Sequence, residues 1–295
     1  MDRFEAMSML VKVTETGSFS AASRELRVPL STLSRKISDL ESLLGTRLLT
    51  RSTRKLTLTD AGIVYVEAVR RILEQVEDAE REAAGEFTSP KGVLVVTAPN
   101  MFGRLHVLPV VADFLATFPE INVQLILTDR NVDLIGDQVD MAVRIGHLPD
   151  SSMVATRVGV MRTVTCASPV LLAGQGLPHK PDDLQRFPCV AVDTPMPSPS
   201  WRFHHPRSGK GLDVLIRPRL VITTPEAAAD AACRSVGIAR LLHYQVVEAV
   251  RNRRLQIILE SYEPEPAPVH LIHASPGQMP LKMRRFLDFA APRLR

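Results

Sequence analysis

Residues 18–45 read SFSAASRELRVPLSTLSRKISDLESLLG. From Leu30 onward, aliphatic residues return at spacings of three and four: Leu30, Leu33, Ile37, Leu40 and Leu44. At about 100° per residue they share one face of a helix. Ser31, Arg35, Ser38 and Ser42 fall nearly opposite, Thr32 and Ser34 flank them, and Gly45 ends the helix. An aliphatic back predicts anchoring on other helices. A front of hydroxyls and one guanidinium predicts a polar partner.

The flanking sequence supplies the anchors. Phe4, Met7, Leu10 and Val11 predict a first amphipathic helix stopped near Gly17. Ser18 or Ser20 caps a second helix through Ala21, Ala22 and Leu26, whose small alanines allow a close crossing, and RVP (27–29) turns the chain. Downstream, RLLTRSTRKLTLT (47–59) alternates at Leu48 and Thr50 and again at Leu56 and Leu58. This predicts a two-stranded wing with Arg51, Arg54 and Lys55 at or near its tip. Thr59 then caps a long helix with apolar positions at Ala61, Val64, Ala68, Ile72, Val76, Ala79 and Ala83. The rest of that helix is strongly charged, so the stripe suits a partner helix better than the helix's own domain.

Charge is unevenly distributed. The chain carries +4 overall, but residues 24–58 alone carry +5, and residues 59–87 carry −5. A basic segment beside an acidic helix points to a polyanion-binding module, although many solvated faces are also basic. The helix face fits that reading. A helix enters the major groove of double-stranded DNA, where hydroxyls and guanidinium groups reach base edges. Ser31, Thr32, Ser34, Arg35 and Ser38, with Ser20 from the preceding helix, are the candidate groove residues, and the wing's Arg51, Arg54 and Lys55 the candidate phosphate or minor-groove residues. The bland alternative is a surface helix of a small bundle.

With 295 residues, 45% hydrophobic and 23% charged, the chain has the composition of a soluble globular protein of about two domains. MDRFEAMSML has no signal-type apolar core, and the runs GVLVV and VQLIL fall far short of the ~20 residues of a membrane span. No membrane partner and a cytoplasmic location are expected. Cys166, Cys189 and Cys233 lack metal-type spacing and read as reduced thiols, and no cofactor is expected.

Beyond a hinge at TSPKG (88–92), β and α signals alternate: VLVVTAP, a helix from about Met101 to Phe118, NVQLILT, a short turn of helix at NVDLI, then MAVRIG. Strands near 162–167, 188–192, 214–222 and 237–241, helices near 225–235 and 244–251, and a closing helix in the tail complete the pattern. The order predicts βαβ units and mainly parallel sheets.

The N-terminal run resembles the winged helix-turn-helix of LysR-type transcriptional regulators: GSFSAAS at 17–23, the helix LSRKISDLESLLGTRLL at 33–49, the wing RSTRKLTLT at 51–59 and the TDAG start of the following helix. The resemblance continues through residues 96–159 into the effector domain of the same family. It implies an α/β chain with an all-α, winged N-terminal part: a winged helix-turn-helix at 1–58, a linker (dimerisation) helix at 59–87, and a two-lobed, periplasmic-binding-protein-like effector domain at 88–295. Lobe I would span about 91–162 plus 267–295, and lobe II about 163–266. It further implies a homodimer, or a homotetramer built as a dimer of dimers, a small-molecule effector, and RNA polymerase as a possible contact. One departure stands out. Where the family commonly reads Ser-Gln before the recognition helix, this chain has Pro29-Leu30.

Ligands of open α/β sheets sit at strand C-terminal ends, which agrees with the interlobe cleft that the resemblance implies. The candidate effector residues are Pro99, Asn100, Met101 and Phe102 after the first strand; Arg130 and Asn131 after the second; Gly146 and His147 after AVRI. In the second lobe they are Thr194 and Trp201 at the mouth, Thr223 and Thr224 before a helix, and Gly237 and Ile238. The Asn100 and Thr224 helix ends suit an anion. Duller roles exist: Asn100 and Thr224 as caps, Arg130 in a surface ion pair, Met101, Phe102 and Trp201 as packing. The apolar-and-hydroxyl lining hints at an organic or aromatic acid.

An enzyme or simple binding protein is the competing class. The chain has no G-x-S-x-G elbow, and SGKG (208–211) lacks the upstream glycine of a P-loop. His204 and His205 are adjacent, and His270 and His273 are three apart, so each pair points to opposite strand faces and no metal site is expected.

Overall fold

The computed structural model describes residues 2–51, 56–83, 89–130, 132–148, 153–193, 200–274 and 279–294, with the side chains of residues 51, 74, 78, 79 and 81–83 also left aside. The chain forms two units, Met1–Ser89 and Pro90–Arg295.

In the first unit Asp2 caps α1 (Arg3–Thr16) by accepting from the Phe4 and Glu5 amides, and Gly17, at φ 64°, ends it. Ser18 caps α2 (Phe19–Leu26), with the Ala21 amide 3.4 Å from its Oγ. Arg27 turns the chain at φ 55° into α3 (Leu30–Leu44), which Gly45 closes. Leu33, Ile37 and Leu40 are completely buried against Ala6, Leu10, Val13 and Ala22, and Lys36 pairs with Glu5 across the α1–α3 contact. The stripe on α3 is narrower than its spacing predicts. Leu30 and Leu44 are 46% and 39% exposed, because the end turns overhang the helix crossing.

β1 (Leu49–Arg51) and β2 (Leu56–Leu58) form the antiparallel wing, Leu49 opposite Leu58. Thr59 caps α4 (Asp60–Ala83), accepting from the Gly62 amide at 2.9 Å. Val66 and Val69 of α4 are buried, and Val66 joins the core of its own domain. The apolar stripe read from the sequence faces the other way. Val64 is 64% and Ile72 40% exposed, Ala61 is exposed, and Ala68 and Val76 are half-buried. Ala79 and Ala83 lie outside the described side chains.

In the second unit the chain runs β3 (Gly92–Ala98), α5 (Asn100–Phe102), a π-helical turn at Gly103–Val107, α6 (Leu108–Thr117), β4 (Ile121–Leu127), β5 (Met141–Ile145), β6 (Met153–Met161), β7 (Thr163–Ala167), α7 (Pro169–Gln175) and β8 (Cys189–Val192). It continues through β9 (Ser200–His204), β10 (Gly211–Leu215), β11 (Pro218–Ile222), α8 (Pro225–Cys233), β12 (Ile238–Leu242), α9 (His243–Arg251), β13 (Gln256–Ile258), β14 (Ala267–Ala274) and α10 (Leu281–Ala290). Two five-stranded sheets result, ordered β4-β3-β5-β14-β6 and β11-β8-β12-β7-β13.

Both sheets are mixed, which corrects the mainly parallel expectation. β3, β4 and β5 are parallel, as are β8, β11 and β12, but β14 runs antiparallel to β5 and β6, and β7 antiparallel to β12 and β13. In each sheet the reversed strand is the one entered on crossing from the other: β7 follows β6, and β14 follows β13. Two local expectations also change. The 214–222 segment is two strands broken at Ile216–Arg217, and the described part of NVDLI is a turn, not a helix.

Candidate functional site

The front of α3 is presented as the periodicity predicts. Ser31, Arg35 and Ser38 are exposed, Thr32 and Ser34 are half-buried, and Ser20 of α2 is exposed. No side chain caps α3, because Pro29 stands at its N-cap. The first-turn amides of this helix are therefore open to an anion such as a backbone phosphate. Arg51 is the last residue of β1, its side chain outside the description, and Arg54 and Lys55 lie outside the described residues altogether.

Sequence reasoning missed how the wing is tied to this helix. Glu41 Oε1 accepts from the Leu48 and Leu49 amides at 2.8 and 3.0 Å, fixing the start of β1 to the last turns of α3. Its only signal was being one of three acidic residues, with Glu25 and Asp39, in the basic segment 24–58.

In the second unit the strand-end candidates separate into two groups. Asn100 donates from its backbone and its Nδ2 to the Asp129 carboxylate, at 3.1 and 2.8 Å. The α5 end is thus already held by a carboxylate of the chain. Pro99 and Met101 are half-buried beside it, Arg130 is exposed, Gly146 takes φ 118°, and His147 is exposed. Thr224 caps α8, accepting from the Ala227 amide at 3.4 Å, and Thr223 is exposed. Asn131 and Thr194 lie outside the described residues.

The second group is packing. Phe102 is 3% exposed, and Ile238 and Trp201 are buried, the tryptophan among Phe203, Val214 and Ile216. Gly237 is pressed against the backbone of Pro188, whose carbonyl oxygen would lie 2.6 Å from an added Cβ. Apolar area outweighs any polar handle at these positions.

Tyr244, on α9, was not read from the sequence and joins the two halves of this unit. Its ring meets Phe102 edge-on at 5.4 Å and His106 of the π-helical turn at 5.6 Å. Burial pushes its hydroxyl up to about 12, against a hydrogen bond from Gln245, and the charges of Asp129 and Glu226 add to the rise. Asp129, which holds Asn100, and Glu226, in the first turn of α8, are the two carboxylates that act on this hydroxyl. Tyr244→Ala is expected to cost the effector domain about 3 kcal/mol, read as a lowered denaturant midpoint, with Tyr244→Phe retaining most of the stability.

Comparison with known proteins places both units. Residues 4–63 match the bacterial regulatory helix-turn-helix protein, lysR family, and residues 88–295 match the LysR substrate binding domain. The chain belongs to the LysR family. It is 35% identical over 290 residues to an HTH-type transcriptional regulator of Xanthomonas campestris, covering 97% of this chain and 84% of that one. It is 31% identical to the HTH-type transcriptional activator AaeR of Escherichia coli, covering 96% and 91%. The structure of CrgA from Neisseria meningitidis, a LysR-type transcriptional regulator, superposes over 98% of each chain with a TM-score of 0.61 at 30% identity.

This LysR-type transcriptional regulator accordingly pairs a DNA-binding helix-turn-helix with an effector-binding domain. No described helix is long and apolar enough to cross a membrane, and no described group of His, Cys, Asp and Glu is arranged to hold a metal.

Proposed function

We propose that this regulator works in the cytoplasm as a homodimer held by α4, placing one α3 of each chain in the major groove of a two-fold DNA site. The observation that carries this reading is the apolar face of α4. Leu44, Leu48, Ala61, Val64, Tyr65 and Ala68 line an open groove of about 580 Å³ in the first unit. An exposed apolar stripe along a charged helix marks an interaction face, and a copy of the same helix is self-complementary to it. A pair of such dimers forms the tetramer, and the effector biases its arrangement through different affinity for two states.

In the effector domain we assign the effector site to the strand and helix ends nearest Tyr244, with Asn100, Arg130, Gly146, Thr223 and Thr224 as its candidate lining. With the Asp129 carboxylate already on the α5 end, the Thr224 end of α8 is the seat for the acidic group of an organic or aromatic acid. The relatives are named as regulators and not as enzymes, which supports a binding role with no catalysis.

Sedimentation of a Val64→Asp variant tests the assembly. A charge placed in the groove is expected to convert the dimer to monomer at micromolar concentration and to weaken operator binding more than tenfold. A variant that stays dimeric would exclude α4 as the pairing element.

A further inference from the structure

Among the described residues, five buried polar atoms have no hydrogen-bond partner, and three of them share one face of one sheet: Thr97 Oγ1, Arg144 Nη2 and His270 Nδ1. The register explains the gathering. Thr97 on β3 lies opposite Ala142 on β5. Two residues on, Arg144 lies opposite His270 on β14, and His270 lies opposite Arg157 on β6. Successive residues alternate between sheet faces. Val96, Met141, Val143, Val269 and Leu271 fill the core on one side, so Thr97, Ala142, Arg144, His270 and Ile272 share the other.

This face carries positive charge with no described counter-charge. Desolvation alone lowers the Arg144 guanidinium. Desolvation leads in lowering His270 as well, followed by the charges of Arg157 and His147. No described carboxylate acts on either group. The Arg144 guanidinium keeps one long hydrogen bond, from Nη1 to the Val143 carbonyl at 3.5 Å, which returns little of the hydration that burial removes, and each unpartnered N–H or O–H adds its own cost. Beside these groups the face is apolar, with Ile272, Leu148 and Met153.

We propose that Arg144, His270 and Arg157, with Thr97 as a hydroxyl donor, form a site for a small oxyanion, separate from the helix ends around Tyr244. The guanidinium fork matches a carboxylate, sulfate or phosphate through paired N–H donors. His270 donates to the same group once protonated. Arg157 and His147 are exposed and form the solvent side by which an ion reaches the half-buried pair. The apolar neighbours accommodate the body of an organic carboxylate as readily as they border an inorganic ion.

The test is thermal unfolding of the full chain in sodium sulfate, phosphate or benzoate against chloride at equal ionic strength. A saturable rise is expected, about 5 °C at a hundredfold excess over Kd. The ion that saturates at the lowest concentration identifies the source of the oxyanion. Arg144→Met and His270→Gln should each lose the rise, while Arg219→Met, at an exposed position on the other sheet, should keep it. Without added anion Arg144→Met should melt no lower than the parent, because the charge it removes is uncompensated. Histidine NMR provides a second reading: His270 should titrate at higher pH in the saturating anion than in chloride. A rise that never saturates, a rise equal in Arg144→Met and the parent, or a His270 midpoint indifferent to the anion would overturn the site. So would an Arg144→Met protein that melts well below the parent, since Arg144 would then be satisfied within the fold.

Discussion

Gly62→Ala is expected to destabilise the winged domain by more than about 4 kcal/mol and to remove measurable DNA binding with it. A Cβ at this position would lie 2.0 Å from the Leu48 carbonyl oxygen, 2.9 Å from its carbon and 3.0 Å from Leu58 Cδ2. The oxygen cannot give way, because it accepts from the Thr59 amide at 3.0 Å and from the Thr59 hydroxyl at 3.3 Å. That Thr59 hydroxyl in turn caps α4 through the Gly62 amide. One methyl group would therefore have to move the wing, the cap or the whole of α4, and α3 is tied to the wing through Glu41 and shares its core with Val66 of α4. Gly17→Ala is the control. Its φ of 64° is strained for alanine, yet nothing lies within 4 Å of an added Cβ, and the cost should stay near 1 kcal/mol. Denaturant unfolding followed by gel shift on one operator fragment compares the two. A Gly62→Ala protein that unfolds with Gly17→Ala and still shifts DNA would mean that α4 and the wing are free to slide.

Much of this arrangement is legible from residue type and spacing, and what is not has physical causes. Leu33, Ile37 and Leu40 are read correctly because a 3.6-residue period records burial wherever a helix has one wet side. Leu30 and Leu44 carry the same period but sit in end turns, where periodicity is silent about whether a neighbour reaches that far. On α4 the exposed stripe is visible in the sequence, but the buried Val66 and Val69 are not, since two apolar faces on one helix blur into a single pattern. The mixed sheets escape the reading because strand direction is decided by where the chain returns, and β14 comes from more than a hundred residues after β5. Asp129 and Tyr244 act through partners distant in sequence, and Glu41 reaches past the end of its own helix to the Leu48 and Leu49 amides, contacts of which a single carboxylate or tyrosine carries no local signal. Trp201 and Ile238 show the converse. They stand at strand positions that a cleft would use, and volume and apolar area place them in the core.

Arg35→Ala is expected to lower affinity for the specific DNA site by about 10- to 100-fold while changing affinity for random DNA less than about threefold. Arg35 is exposed on the same face as Ser31 and Ser38, and one turn of helix separates it from each. Its position is set from behind, since Leu33 and Ile37 are completely buried on either side of it and Lys36 is tied to Glu5. A guanidinium on a helix held that firmly would keep a fixed height in a DNA groove, which a bidentate contact with a guanine edge requires. Phosphate contacts respond differently. Arg54→Ala, in the segment between β1 and β2, should weaken specific and random DNA alike and flatten the dependence on salt by about one ion. Pro29-Leu30 stands at the start of α3 in place of a glutamine, so Ser31, Thr32, Ser34 and Arg35 are the residues proposed to discriminate between bases. Gel shifts on a fragment recovered by genomic selection, run beside random competitor at two salt concentrations, separate the two roles. Equal losses for Arg35→Ala on both DNAs would make the arginine a phosphate contact and leave the hydroxyls of α3 as the readers of sequence.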